Sequence, residues 1–482
     1  MSDQLKNKML KALTWTTIDR FGQQIAQLFI GIVLARLLTP NDYGLIGVLM
    51  IFISLSTVLI DGGFGQALIR KQNATATDFS TIFYLNLIVS ILLYVLLFFA
   101  APLISAFFKQ PKLIEVSRVL FLTVIFYAVY FVQYVVLNKN LNFKTLALVN
   151  IISVIISGIV GVIFAFKGFG VWALVWQQVS SQFLRAILFP ILVHWRPIKT
   201  FSFNVIKEFW SFSIHMLGTS TLNVVFNNLY TILLGRFYPF QQVGYYTQAN
   251  KLSETVNAAS QQILMSGTYP LLVQIQHDTE RLTRVFRRLT KSVSLLVFPL
   301  IAVLIAIAKP FIIVLISEKW LFSVVLFQLL LIANFFGALY SLNVSVLNAR
   351  GESKRTFNLE LIKKSLILIS VILCFSYGIK AMLLGYVFAC FISYFLSMVF
   401  IKRSLNHYFK HQFADIVPNL LLAVFLGGIA ALLGLLTISN LILVIVQLLV
   451  VSILYLFIVR FFYPDTFSQA FLFAKSRLKF KN

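Results

Sequence analysis

Six ionisable side chains interrupt stretches of sequence that are otherwise apolar and long enough to cross a lipid bilayer. They are Asp19, Arg20, Asp61, Arg185, Lys251 and Glu254. A charged side chain at the bilayer centre costs about 2.5–3.5 kcal/mol on insertion scales when it faces lipid. Each of the six is therefore expected to have a partner, to reach the membrane interface or to line a water-filled space.

Polar side chains recur around these charges at the spacing of one helix face. Residues three, four or seven apart lie on the same side of an α-helix. Four segments show this spacing: Arg20, Gln24, Gln27 and Gly31; Gln178, Ser181, Gln182 and Arg185; His215, Thr219, Asn223 and Asn227; and Asn250, Glu254, Asn257 and Gln261, with Lys251 beside them. The pattern predicts polar helix faces around a hydrated central cavity. Because a sugar hydroxyl stripped of water without a partner costs about 1–3 kcal/mol, such a lining suits a carbohydrate.

Two sets of site residues follow from these faces. The predicted substrate contacts are Arg20, Gln24, Gln27, Arg185, Asn223, Asn227, Lys251 and Glu254. The acids that are candidates for coupling transport to Na⁺ or H⁺ are Asp19, Asp61 and Glu254. A buried anion needs compensating cations. Arg20, Arg185 and Lys251 are thus predicted to form a discontinuous positive track for an anionic cargo.

Structural roles are open for the same residues. The alternatives are an interfacial position for Asp19 and Arg20, an ion pair between Lys251 and Glu254, snorkelling of Arg185, a helix cap at Asp61, and a hydrogen-bonded interior position for His215. The sequence alone does not decide between these roles and a cavity lining.

Motifs of enzymatic chemistry are absent from the sequence. It contains no phosphate-binding Walker motif, no metal-spaced His/Cys set and no nucleophile–base arrangement. The two cysteines, Cys374 and Cys390, fall in apolar stretches and indicate neither a disulfide nor a metal site. We therefore expect no enzyme activity and no cofactor other than a possible coupling ion.

The elements that position these residues are predicted to be membrane-spanning helices. Of the 482 residues, 60% are hydrophobic and 11% are charged, whereas a soluble domain has about 25% charged residues. Apolar runs near 20 residues are long enough to span a bilayer as helices. They predict an all-α integral membrane protein with about fourteen spans, at roughly 13–38, 42–66, 80–101, 113–137, 144–166, 170–194, 209–236, 243–267, 290–308, 321–347, 357–377, 380–402, 416–436 and 439–462.

The net charge of +25 is distributed unevenly between these spans. With the N-terminus inside, cytoplasmic connections carry roughly three times as many Lys and Arg residues as the outer connections do, which fits the positive-inside rule. Both termini are thus predicted to be cytoplasmic, and anionic membrane lipids rather than nucleic acid are the expected partners of the charge. No cleaved signal peptide is expected, because the basic N-terminus leads directly into a full-length span.

Short motifs recur along the chain at an offset that grows slowly. Arg36 precedes Gly44 as Arg236 precedes Gly244, with a proline between them. Later matches pair Pro102 with Pro310, Asn138 with Asn348, and Gly168 with Gly378. The pattern predicts a parallel duplication, in which residues 1–208 and 209–403 form two six-helix lobes and residues 404–482 form two extra helices and a basic cytoplasmic tail. Recurrence of Pro and Gly in helical hairpin turns is the alternative explanation.

Three segments resemble a known family. They are Ala35–Pro40 followed by Asp42-Tyr43-Gly44, with Trp15 upstream; Asp61–Ile69; and Gly168–Leu174. They resemble the polysaccharide transporter family, the Wzx-type, colanic-acid-exporter-like branch of the multidrug/oligosaccharidyl-lipid/polysaccharide flippase superfamily. The resemblance implies two six-helix lobes and alternating access in a bacterial inner membrane. It also implies a cargo of undecaprenyl-diphosphate-linked oligosaccharide, moved for surface polysaccharide export alongside polymerases and glycosyltransferases.

Two other functions compete with a flippase. A multidrug exporter of the same superfamily has a similar cavity, but a pocket for hydrophobic cations favours unpaired acids over Arg20, Arg185 and Lys251. A membrane-embedded polymerase or ligase for lipid-linked sugars needs substantial outer loops with catalytic acids. The outer connections here are short and carry only scattered acids such as Glu115 and Glu318.

The charge asymmetry generates a topology prediction. Single cysteines placed within residues 70–79, 275–289 or 404–412 should react with a thiol reagent only from the cytoplasmic side. Cysteines within 108–112 or 317–320 should react from outside. An external signal at position 284 would overturn the orientation.

Overall fold

The computed structural model describes residues 3–263, 269–405 and 409–464, and these residues are almost entirely helical. Over its described residues, each of the fourteen predicted spans coincides with one of the long helices, two of which are interrupted. Residues 264–267 of the predicted span 243–267 lie outside the described residues. The predicted all-α membrane fold is thus confirmed. Residue contacts divide the chain into two compact units that meet between Thr247 and Gln248.

The first unit contains nine α-helices and the beginning of a tenth. They are α1 (Asp3–Leu37), α2 (Pro40–Asp61), α3 (Phe64–Arg70), α4 (Ala76–Phe108), α5 (Leu113–Leu120), α6 (Leu122–Lys139), α7 (Phe143–Phe166), α8 (Val171–Leu192), α9 (Phe203–Phe237) and α10 (Phe240–Ile263). Helix α7 packs against α1 and α8, and α2 packs against α9.

The second unit continues α10 and adds seven helices. They are α11 (Tyr269–Gln274), α12 (Thr279–Ile316), α13 (Leu321–Ala349), α14 (Ser353–Cys374), α15 (Ile379–Leu405), α16 (Phe409–Leu433) and α17 (Asn440–Phe462). Helix α12 packs against α13, α16 and α17, and α15 packs against α13 and α14. The basic tail from residue 465 lies outside the described residues.

Hydropathy sorts these long helices into two groups. Within the described ranges, nine spans are apolar enough to cross a membrane on composition alone. The long helices left over are α1, α8, α9, α10 and α14. Each has at least 22 residues, about 33 Å at 1.5 Å per residue, which matches a bilayer core of about 30 Å. Four of these five helices carry the predicted polar faces, so polarity rather than length distinguishes them.

The segment from Thr39 to Asp42 begins helix α2 with a reciprocal cap. The Asp42 backbone N–H donates to the Thr39 hydroxyl oxygen, and the Thr39 N–H donates to the Asp42 carboxylate at 3.0 Å. This arrangement satisfies N–H groups that a helix start leaves without partners. The same arrangement of Thr75 and Asp78 begins α4.

The segment Asp61-Gly62-Gly63 interrupts the second predicted span. Gly62 and Gly63 have φ values of +54° and +79°, which favour glycine. The Asp61 carboxylate accepts a hydrogen bond of 3.1 Å from the Gly65 N–H and so caps α3. A continuous helix over 42–66 is therefore wrong, because α2 ends at Asp61.

The two copies of the Arg–Pro–Gly motif pack against each other. A Cβ added to Gly44 would overlap the carbonyl oxygen of Phe240, and one added to Gly244 would overlap that of Pro40. The starts of α2 and α10 thus cross at backbone contact through equivalent positions of the motif. A twofold relation between copies produces this kind of reciprocal contact.

Helix α9 packs within the first unit, although the motif offsets place it in the second lobe. Near its start, Glu208 pairs with Lys71 at 2.9 Å, and this hydrogen bond raises the pKa of the Lys71 ammonium. Near its end, Gly235 contacts Val48, and the Arg236 guanidinium donates to the Phe107 carbonyl. The lobes at 1–208, 209–403 and 404–482 stay predictions, and packing alone divides the chain at residue 247.

Buried polar contacts fasten the last two helices to α12. Arg287 makes a bidentate pair with Asp415 of α16, at 2.8 and 2.9 Å. One turn along, Asn419 donates to the Ser294 hydroxyl at 2.7 Å and accepts from the Tyr463 hydroxyl at 2.9 Å. Helices α16 and α17 therefore belong to the second unit.

The glycine crossing generates a stability prediction. Gly44→Ala or Gly244→Ala should lower the melting temperature in detergent and the abundance in the membrane. A Cβ there meets rigid backbone, and overpacking costs about 1–3 kcal/mol.

Gly337→Ala in α13 is the matched control, because a Cβ there meets nothing within 4 Å. It should leave both quantities unchanged or raise them. Wild-type melting of both crossing variants would show that the contact is dispensable.

Candidate functional site

Helix α1 presents three different faces. Arg20, Gln24 and Gln27 are exposed along one line, as their spacing predicts. Roughly a third of a turn away, a second exposed line is apolar and contains Phe21 and Ile25. The remaining face packs on α7, where Gly22 contacts Ile151. An exposed polar line beside an exposed apolar line indicates that α1 borders both water and lipid.

Asp19 lies on the packing face of α1 and not on the exposed polar line. Its carboxylate accepts a hydrogen bond of 2.8 Å from the Gln23 amide and a long one of 3.4 Å from Asn150 of α7. Arg185 of α8 acts on it electrostatically. An interfacial position is thus not needed to satisfy Asp19, since the Gln23 and Asn150 amides donate hydrogen bonds to its carboxylate.

Arg185 links Asp19 to a second polar group in the first unit. The Tyr130 hydroxyl of α6 donates to the Gln182 amide oxygen at 2.8 Å, and Arg185 interacts with Tyr130 from one turn further along α8. The predicted face of α8 therefore turns partly inward. Asp19 and Arg185 share an internal polar cluster, whereas Arg20 is exposed.

The polar face of α9 is exposed as predicted. Asn223 and Asn227 both lie on the surface of the first unit. The His215 ring nitrogen lies 2.6 Å from the Ser211 carbonyl oxygen of its own helix. The predicted hydrogen bond of His215 is confirmed, but its interior position is wrong, because the side chain is exposed.

Lys251 and Glu254 are both exposed on α10. The Glu254 carboxylate accepts a hydrogen bond of 2.8 Å from the Asn250 amide. Among the described side chains, no carboxylate lies within ion-pair distance of the Lys251 ammonium. The alternative of a Lys251–Glu254 pair is therefore wrong. The side chain of Gln261 lies outside the described residues.

Asp61 has a structural role, since its carboxylate caps α3. This matches the capping alternative considered from the sequence. Its candidacy as a coupling acid stays a prediction.

The sequence reasoning missed a polar cluster in the second unit. The Tyr340 hydroxyl of α13 donates to the Glu360 carboxylate of α14 at 3.0 Å. The Lys363 ammonium lies 4.3 Å from the centre of the Tyr340 ring. A signal was present, because Glu360 and Lys363 fall inside the predicted span 357–377. The six charges identified inside spans from the sequence nevertheless do not include them.

In the described ranges, no three His, Cys, Asp or Glu side chains lie close enough together to hold a metal ion. The polar clusters instead combine amides, hydroxyls and single charges. Such groups can bind a hydroxyl-rich or anionic cargo through hydrogen bonds and charge.

Long helices with separate polar and apolar exposed faces define a multi-pass membrane transporter, and the fold agrees with this class. The structure resembles the lipid II flippase MurJ in an inward closed conformation, with a TM-score of 0.74, 16% identity, and coverage of 94% of this chain and 99% of MurJ. It also resembles an inward-facing MATE family multidrug resistance transporter of the MOP superfamily, with a TM-score of 0.58, 14% identity, and coverage of 82% and 99%.

The chain belongs to the polysaccharide biosynthesis protein family, whose sequence profile matches residues 33–325. It is 26% identical to the teichuronic acid biosynthesis protein TuaB of Bacillus subtilis (strain 168) over 355 residues, 73% of this chain and 74% of TuaB. It is 23% identical to the lipopolysaccharide biosynthesis protein WzxC of Escherichia coli (strain K12) over 375 residues, 77% and 75% of the two chains. The predicted family resemblance is thereby confirmed.

The internal cluster generates a prediction about charge pairing. Arg185→Gln should lower membrane abundance, because the half-buried Asp19 carboxylate then loses one of the two cations, Arg185 and Arg20, that stabilise its charge. Adding Asp19→Asn should restore much of the abundance, since both charges are then gone. Quantitative immunoblotting of membranes measures the effect. A double variant no better than Arg185→Gln alone would show that the two residues act independently.

Proposed function

We propose that the protein is a flippase that moves undecaprenyl-diphosphate-linked oligosaccharide repeat units across the cytoplasmic membrane for surface polysaccharide export. The three-faced helix α1 carries this proposal. A lipid-linked sugar is itself divided into a polar head and an apolar tail. A helix with Arg20, Gln24 and Gln27 on one exposed line and Phe21 and Ile25 on another suits both parts of such a cargo.

The names of relatives support the cargo class. TuaB and WzxC are named for the biosynthesis of teichuronic acid and of lipopolysaccharide, and the fold resembles that of a lipid II flippase. Teichuronic acid and lipopolysaccharide both contain carbohydrate, which requires many hydrogen-bonding groups in a transport path. Exposed amides such as Asn223 and Asn227 meet this requirement on α9.

Two exposed cations are the proposed contacts of the diphosphate. The Glu254 carboxylate accepts a hydrogen bond from the Asn250 amide and does not pair with Lys251. The Lys251 ammonium can therefore bind an anionic ligand. Arg20 is exposed, while the neighbouring Asp19 is turned into helix packing. Arg185 contributes less to the cargo, because it is engaged with Asp19 and Tyr130. The proposed site is thus narrower than the track predicted from the sequence.

Alternating access is the proposed mechanism, with the crossing of α2 and α10 closing the outer side. By the charge asymmetry, Pro40 and Phe240 lie toward the outside. Backbone contact at Gly44 and Gly244 leaves no room for a polar cargo between these helix starts. Release to the outer leaflet therefore requires the crossing to separate.

The remaining features of the proposal follow from the family and from charge. We place both termini in the cytoplasm and expect polymerases and glycosyltransferases as functional partners. Coupling to Na⁺ or H⁺ through Asp19, Asp61 or Glu254 is part of the proposal. Enzyme activity is not, and the cations on the exposed faces favour an anionic cargo over cationic drugs.

Complementation of a flippase-deficient strain tests the proposal. Arg20→Ala and Lys251→Ala should each abolish surface polysaccharide at normal membrane abundance, because the diphosphate loses a compensating cation. Lys251→Arg should keep part of the activity, since its charge is retained. Surface polysaccharide and membrane abundance are measured on the same cells.

Arg281→Ala is the matched control, because it removes one exposed arginine from the start of α12, away from the proposed contacts. It should export normally. Full export by the Arg20→Ala, Lys251→Ala double variant would refute the diphosphate contacts. Failure of the wild-type chain to restore polysaccharide in several flippase-deficient strains would instead refute the cargo class.

A further inference from the structure

We infer that the groove between α12 and α16 is an ordered binding site for the phosphate of an anionic phospholipid in the cytoplasmic leaflet. Its basic residues are Arg284, Arg287, Arg288 and Lys291, which we call the basic cluster. The site lies wholly within the second unit and is separate from the proposed cargo contacts.

The length of α12 places the basic cluster at headgroup depth. The helix has 38 residues, about 57 Å at 1.5 Å per residue, whereas a hydrocarbon core is about 30 Å thick. The part from Val293 to Ile316 carries a single charged residue, Lys309, and is long enough to cross the core. The residues that precede Val293 therefore lie in the headgroup layer and beyond it.

One exposed line on α12 changes from cationic to apolar along its length. Arg284, Arg288, Ser292, Leu296 and Leu300 follow each other at intervals of four residues, and all except the half-buried Ser292 are exposed. Arg288 and Leu296 are separated by about 12 Å along the axis. A phospholipid has the same order, with its phosphate above its acyl chains. The line therefore matches one lipid molecule lying along the helix.

Asp415 holds the side chains of Arg287 and Lys291 in defined positions. Its carboxylate is 1% exposed and accepts from Arg287 in a bidentate pair, while the Lys291 ammonium lies 3.3 Å away. Arg287 and Lys291 themselves stay 40% and 54% exposed. Their outward donors are thus held in place beside the groove, so less side-chain entropy is lost when an anion binds.

The charges of the cluster do not balance within the protein. Glu280 pairs loosely with Arg284 at 3.6 Å, and Asp415 serves both Arg287 and Lys291. Arg288 has no carboxylate within ion-pair distance among the described residues. Like charges three or four residues apart on the same helix repel each other and destabilise it. A phosphate from outside the chain relieves this repulsion.

The neighbouring surface suits the acyl chains of a lipid. Helix α16 packs on α12 and exposes Leu421 and Phe425 at 64% and 53%. These residues continue toward the bilayer centre from Asp415. The groove therefore offers cations at one level and an apolar wall below it, as basic pockets between transmembrane helices do for lipid headgroups.

Lipid titration of the purified full-length chain tests the site. The protein in phosphatidylcholine nanodiscs is titrated with phosphatidylglycerol, and bound lipid is counted by native mass spectrometry. Arg288→Gln with Lys291→Gln should weaken retention by about 30-fold, from roughly fivefold per surface cation. Lys199→Gln with Lys207→Gln is the matched control, because it removes two exposed cations from the first unit. It should bind as wild type.

The Asp415→Asn variant distinguishes an ordered lipid-binding site from non-specific electrostatic attraction of anionic lipid. It raises the net charge, so diffuse attraction predicts tighter binding. Loss of the ordering carboxylate predicts weaker binding of phosphatidylglycerol, which is the result we expect. Tighter binding by this variant, equal losses in both double variants, or equal retention of phosphatidylcholine would each overturn the site. Melting temperatures confirm that every variant is folded, and none of these results bears on the identity of the transported cargo.

Discussion

The cost of exposing a polar group to lipid is the constraint on which the rest of the structure depends. Every charge inside a span must face protein or water, because an unpaired charge facing lipid is expensive. Helix α1 satisfies this constraint with three different faces. Asp19 lies on the face that packs against protein, Arg20 lies on an exposed polar line, and Phe21 lies on an exposed apolar line. Helices rich in amides are for the same reason the ones that hydropathy alone does not recognise as spans.

The sequence was sufficient to predict the helices, because apolar length and helical spacing are local properties. Spacing also identified the exposed line of Arg20, Gln24 and Gln27. It could not show that Asp19, adjacent in sequence, points elsewhere, since that depends on which side of α1 meets α7. The partner of Glu254 was missed for a similar reason. Residues three and four positions away compete for it, and Asn250 rather than Lys251 makes the contact.

Contacts between distant segments were largely beyond sequence reasoning. Glu360 and Tyr340 belong to different helices, and only packing of α14 near α13 joins them. The placement of α9 in the first unit also depends on contacts between distant segments. Its motif offset relates it to the second copy, but Gly63 and Gly235 allow α2 and its neighbours to approach it closely at both ends. Repeats show how a chain is organised along its length, whereas packing decides which helices lie in contact.

Helix α10 runs unbroken from Phe240 to Ile263, and the division between the two compact units falls inside it. The chain thus passes from the first unit to the second through a continuous α-helix and not through a loop. Lys251 and Glu254 lie about two and about three turns beyond Gly244 on this helix. A rotation of α10 about its own axis at the crossing would therefore change the direction in which both side chains point.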